Sequence, residues 1–291
     1  MGGGSYSYND RKTRAVSMDY YSKSVDEIFT SRGINEAMIP RGVKIRESRD
    51  SAEHPNSFPI IIGLDVTGSM QSIPHHLVKD GFPDIMKKVM ESGIKDPQVL
   101  FLAIGDHKCD NAPLQVGQFE SSDELLDKWL TNTWLEGKGG GNGGESYLLA
   151  WYFAGYHTAI DSYEKRNEKG VLITIGDEPT HRSIPQQSLK NIMGEAEAEY
   201  SYLQLLEKAS DKYEVYHLHI TSTRNGSDSD IQNGWKEIMG DHVIMVDNHE
   251  KIPNIISELV LKHSVKHDNG FILNENATVK TDVNKPTEIL L

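Results

Sequence analysis

Phe58-Pro59-Ile60-Ile61-Ile62-Gly63-Leu64-Asp65-Val66-Thr67-Gly68-Ser69-Met70 joins a continuous apolar run to a short stretch of oxygen-bearing side chains. An apolar run bounded by turn signals suits a central strand buried on both faces of a parallel sheet. Similar runs recur at Val99–Ile104, Val171–Ile175, Val215–Ile220 and Val243–Val246. Helical patterns lie between them: 73–90, 122–130, 145–163, 186–212 with a break near Gly194, 231–239 and 252–263. Leu114 to Phe119 reads as a short extra strand. Strands alternating with helices predict a doubly wound, mostly parallel α/β sheet flanked by helices, a Rossmann-like arrangement.

Around that core, residues 1–57 are polar and read as an N-terminal extension wrapped on the main domain, 58–267 as the α/β domain, and 268–291 as a polar tail. In the extension, Ser24-Val25-Asp26-Glu27 has capping-box spacing, and Gly33 is placed to end the short helix. Arg41 to Glu47 alternates like an edge strand. The 291 residues carry 37% hydrophobic side chains and a net charge of -13; mean hydropathy is -0.51. No run approaches the roughly 18 apolar residues that span a bilayer. The acidic balance argues against nucleic-acid or anionic-membrane partners, both of which need a basic surface. The N-terminus lacks a secretory pattern, and Tyr6 breaks the myristoylation motif. A single cysteine, Cys109, rules out an internal disulfide and fits a reducing, cytoplasmic setting.

Ligands of open parallel sheets bind beyond the carboxyl ends of the strands. The first run is followed there by Asp65, Thr67 and Ser69, the second by Asp106-His107, and the third by Asp177-Glu178. The glycine cluster at 137–144, with Asn142 and Glu145, can reach the same edge. Carboxylates, hydroxyls and an amide are hard donors. They suit Mg²⁺ first, or Mn²⁺ or Ca²⁺, and not Zn²⁺.

Asp65-x-Thr67-x-Ser69 after an apolar strand resembles the metal-ion-dependent adhesion site of von Willebrand factor A (vWA) domains, over roughly residues 58–265. The resemblance implies metal ligation by Asp65, Thr67, Ser69 and Asp177. The family's Gly-Gly-Thr-Asp loop is replaced by Gly139-Gly140-Gly141-Asn142, so Asn142 or Glu145 is expected to supply the missing oxygen. That loop, with Asp106-His107, looks more like the branch found in bacterial and α-kinase-associated A domains. Family members hold a partner's acidic residue on the ion, and some act as adaptors beside AAA+ ATPases.

The expectation is therefore a divalent-cation-dependent protein-binding module and not an enzyme, since no nucleophile–base pair is visible. A metal-dependent hydrolase, or an assembly protein of a phage or bacterial complex docking through its arm, are the competing readings. The remaining candidates have plainer readings. Asp106-His107 reads as a loop anchor or an outer support of the site, and Cys109 as an unactivated thiol. His75, His76 and His181 are read as surface or packing residues, and His217 and His219 as core histidines. Trp151 to Tyr156 reads as a core stripe. The glycine run is no phosphate cradle, because no Gly-Lys-Ser/Thr follows it.

Overall fold

The computed structural model describes residues 4–70, 72–94, 96–137 and 143–264. In chain order its main elements are α1 (Tyr8–Ser17), α2 (Val25–Ile28), β1 (Arg46–Ser48), β2 (Phe58–Asp65), α3 (Ser72–His76), α4 (Phe82–Glu91), β3 (Pro97–Ile104), β4 (Leu114–Val116), α5 (Asp123–Thr131), α6 (Tyr147–Tyr156), β5 (Thr158–Ile160), α7 (Asp161–Arg166) and β6 (Gly170–Gly176). They continue with β7 (Ser183–Ile184), α8 (Gln186–Met193), β8 (Tyr200–Ser201), α9 (Tyr202–Ser210), β9 (Tyr213–Ile220), α10 (Ser229–Met239), β10 (Val243–Val246) and α11 (Ile252–Ser264).

The central sheet runs in the order β10-β9-β6-β2-β3-β4. All its pairs are parallel except β3 with β4. This is the doubly wound α/β arrangement expected from the apolar runs. The chain moves outward from β2 through β3 to β4, then reappears on the other side of β2 as β6. That reversal opens a crevice at the carboxyl ends of β2 and β6, where ligands of such sheets bind.

Every residue of β2 and β3 is buried. The strand period of two divides them between two apolar layers. Ile60, Ile62 and Leu64 join the layer built with α3, α4, α5 and α11. Ile61, Leu100 and Leu102 face α6, α9 and Trp235. Helix α6 is apolar on every side, and only Tyr156 of its residues is exposed; a helix hydrophobic all round belongs inside a core. Each such side chain contributes about 1.5–3 kcal/mol on burial.

Several elements depart from the sequence expectation. The stretch 73–90 is not one regular helix: a π-helical turn, Leu77–Gly81, separates α3 from α4. There the Phe82 N–H bonds the Leu77 carbonyl five residues back, and Pro83 has no N–H to restore the usual spacing. The stretch 145–163 also divides. Thr158, Ala159 and Ile160 leave the helical path to pair in parallel with Arg46, Glu47 and Ser48, a long-range partner that local periodicity does not reveal. Within 186–212, α8 ends at Gly194 as expected, but Tyr200 and Ser201 form β8 against β7. Helix α2 has its capping box but stops at Ile28, well before Gly33.

In the N-terminal segment, α1 packs on α4 and α5. Its Arg11 is buried 2.9 Å from Asp127 Oδ1. Tyr20 donates its hydroxyl to the other oxygen of Asp127 at 3.0 Å, and Arg14 pairs with Asp123 at 2.7 Å.

Candidate metal centre

Asp65 is the last residue of β2 and stands at the crevice, 1% exposed. Its Oδ1 accepts the Thr67 N–H at 2.9 Å and the Thr67 hydroxyl at 2.6 Å. Its Oδ2 accepts the Tyr147 hydroxyl at 2.7 Å. Tyr147 opens α6 and reaches Asp65 across the end of β6, where a Cβ on Gly176 would lie 1.8 Å from the tyrosine oxygen. Only glycine allows that approach. Just beyond Gly176, Asp177 is fully buried, and its Oδ1 accepts the Ser69 hydroxyl at 3.1 Å. Its Oδ2 is buried and has no hydrogen-bond partner among the described residues.

Glu145 is fixed to the β6 loop through its backbone. Its N–H donates to the Pro179 carbonyl at 2.9 Å, and its own carbonyl accepts the His181 N–H at 3.1 Å. Its Oε2 is a second buried oxygen with no hydrogen-bond partner among the described residues. Burial pushes the Glu145 carboxyl well above the usual carboxylate range, with the charges of Asp65 and then Asp106 acting the same way. Asp65 is pushed up to about 7, by burial first, although Thr67 and Tyr147 donate to it. Gly137 also meets the Asp65 loop: a Cβ on Gly68 would lie 3.1 Å from the Gly137 carbonyl.

The structure thus brings Asp65, Thr67, Ser69 and Asp177 together at the crevice. Glu145 lies near enough to act electrostatically on Asp65. Asn142, the other candidate for the substitute oxygen, lies outside the described residues. A buried carboxylate oxygen without a partner costs several kcal/mol (about 1–3 or more) unless something satisfies it. Among the described residues Asp177 and Glu145 each carry one such oxygen, and the strongest electrostatic neighbours of Glu145 are all carboxylates. The Thr67 and Ser69 hydroxyls give their protons to Asp65 and Asp177, which leaves their lone pairs for a cation. This all-oxygen set fits a hard divalent ion.

Beside it lies a constellation that sequence reasoning did not assemble. His181, read as a surface or packing residue, is in the interior, with its ring edge-on to that of His107 at 4.9 Å. It is 6% exposed, and its Nε2 lies 2.7 Å from Oδ1 of the fully buried Asp106. His107 Nδ1 lies 2.8 Å from the Ser146 hydroxyl and 3.9 Å from the same Asp106 oxygen. Burial, then His181, pushes His107 down to about 4, so it is neutral at pH 7. Although Cys109 is exposed as a residue, its thiol sits 3.2 Å from Asp106 Oδ2. Partial desolvation and then Asp106 push it up to about 12, an unreactive thiol. The one sequence signal for this cluster was Asp106-His107 at the end of a buried strand. His181 is 75 residues away. His217 and His219 are fully buried: His217 stacks on Trp235 at 3.6 Å and meets Thr174 at 2.9 Å.

Neither a protein-family model nor a curated protein matches the sequence. Solved structures do resemble it. The pilus adhesin SpaC of Lactobacillus rhamnosus GG is 11% identical with a TM-score of 0.46, covering 76% of this chain and 31% of the adhesin. The chain therefore spans about a third of that protein's length. A von Willebrand factor type A protein of Catenulispora acidiphila is 12% identical with a TM-score of 0.40, covering 71% of this chain and 42% of that one. An aerotolerance-related membrane protein of Bacteroides fragilis is 13% identical with a TM-score of 0.41, covering 70% and 98%. Among the described residues of this chain, no helix is long and apolar enough to cross a membrane.

Proposed function

We propose that this protein is a divalent-cation-dependent binding module of the vWA type, which holds an acidic residue of a protein partner through the ion and runs no reaction. Thr67, Ser69 and Asp177 hold the ion, Mg²⁺ in the first instance, with Asp65 fixing the loop and Glu145 supplying a further oxygen. The observation that carries this reading is that, among the described residues, Asp177 Oδ2 and Glu145 Oε2 are buried without a hydrogen-bond partner, at the same carboxyl edge of the sheet as the Thr67 and Ser69 hydroxyls. Mg²⁺ takes about six oxygens and commonly keeps several waters, so positions remain that a partner's carboxylate can take.

The test is Mg²⁺ titration of the intact chain by calorimetry, paired with capture of partners with and without chelator. Saturable binding that is lost in Ser69→Ala and Asp177→Ala supports the reading. Equal binding by both variants overturns it. Turnover of phosphate esters that depends on Asp65 would replace the module by a hydrolase.

A further inference from the structure

We propose that Asp106, His107 and His181 form a second, softer metal centre that takes a divalent first-row transition ion, with zinc as its first occupant. One carboxylate oxygen and one ring nitrogen from each histidine lie within 4.8 Å of one another. Ligands bound to one such ion at about 2.0–2.1 Å stand roughly 3.3–3.4 Å apart in tetrahedral geometry. The observed separations from Asp106 Oδ1, 2.7 Å to His181 and 3.9 Å to His107, fall on either side of that spacing. Small side-chain rotations would close the set.

The donors differ in kind from those of the neighbouring crevice. Two imidazoles and a carboxylate suit Zn²⁺, Co²⁺ or Fe²⁺, whereas Mg²⁺ prefers oxygen alone. The Lys108 N–H steadies Asp106 by donating to Oδ1 at 3.0 Å, and such outer partners orient metal ligands. The Ser146 hydroxyl, 2.8 Å from His107 Nδ1, must turn aside for that nitrogen to take the ion. Three protein ligands leave a coordination position open. His107 also lines a cavity of about 330 Å³ with Arg41, Asp110 and Asn111, through which the ion and a small exogenous ligand can exchange.

This centre stands independently of the hard-cation reading. The chain without an affinity tag is stripped with chelator and titrated with Co²⁺ in millimolar Mg²⁺, and Zn²⁺ is then added. The expected result is one equivalent of Co²⁺ with visible ligand-field bands, displaced by Zn²⁺. His181→Gln and His107→Gln, checked for folding by circular dichroism, should each weaken binding by at least about 100-fold, on the scale of losses seen when the support of a metal site is removed. Asp65→Ala should leave Co²⁺ binding unchanged. Absence of a stoichiometric visible spectrum in the unmodified chain overturns the proposal. So does undiminished binding by a folded His181→Gln variant. Loss of Co²⁺ binding in a folded Asp65→Ala variant would show a single centre and overturn it too. Failure of Mg²⁺ to bind anywhere removes the hard-cation reading alone.

Discussion

The carboxylate of Asp65 accepts three hydrogen bonds and is still pushed up to about 7, because burial outweighs them. Removing one donor tips that balance further. Tyr147→Phe should cost about 1–3 kcal/mol, the penalty for a buried acceptor that loses its partner, read from urea unfolding without metal. Asp177→Asn separates structure from function at the same place. The amide removes a buried charge beside Asp65, so the metal-free protein should unfold at higher denaturant. The Mg²⁺-induced rise in melting temperature should vanish in the same variant. A variant that keeps the Mg²⁺ response would show that Asp177 holds no ion. Gly176→Ala places a methyl 1.8 Å from the Tyr147 hydroxyl. The tyrosine must then swing away from Asp65, and a stability loss of at least the 1–3 kcal/mol of overpacking, roughly, is expected in thermal melts.

Among elements, α1 shows how a polar N-terminal segment docks on an apolar layer. Arg11 is 1% exposed, ion-paired with Asp127 while donating to the Val78 carbonyl. Breaking a buried pair from one side is costlier than replacing both partners. Arg11→Ala should therefore destabilise the protein by about 3–5 kcal/mol. Arg11→Met with Asp127→Leu should recover most of that loss, both read by chemical denaturation. Element boundaries also show where sequence patterns stop being informative. The buried strands β2, β3, β6 and β9 fall close to their apolar runs, because burial on both faces leaves few polar positions to blur them, and the half-buried edge strand β10 keeps its short apolar run as well. The π-helical turn and the β5 insertion were not legible. The first depends on Pro83 acting on a hydrogen-bond ladder, and the second on a partner strand 112 residues away.

For the whole molecule, the concentrated acid at one sheet edge predicts how pH and metal act together. Asp65 and Glu145 have folded pKa values raised above their unfolded ones. Their neutral forms are favoured on folding, so the stability they contribute is complete below about pH 4. It is lost as pH rises through the folded values, about 7 for Asp65 and about 10 for Glu145. His107 acts oppositely, because its folded value is depressed to about 4; its contribution grows until about pH 6.5, the ordinary histidine value. The clean window is therefore pH 7 to about 10. There the metal-free protein should lose stability with rising pH, and saturating Mg²⁺ should restore it progressively more. At about 100 times the dissociation constant the gain is about 2.7 kcal/mol. Melting curves across that range, with and without Mg²⁺, would check it. A pH-independent Mg²⁺ effect would mean that the ion does not sit against these carboxyls.

Sequence by itself determined the strand–helix alternation and the placing of Asp65, Thr67, Ser69 and Asp177 at strand ends. Both are local: apolar runs bury themselves, and a residue just past a parallel strand must lie at its carboxyl edge. Tertiary structure alone decided which side chains share a point in space. Tyr147 reaching Asp65, and His181 meeting Asp106, join residues 82 and 75 positions apart. Strand order and loop approach, and no local periodicity, set those distances.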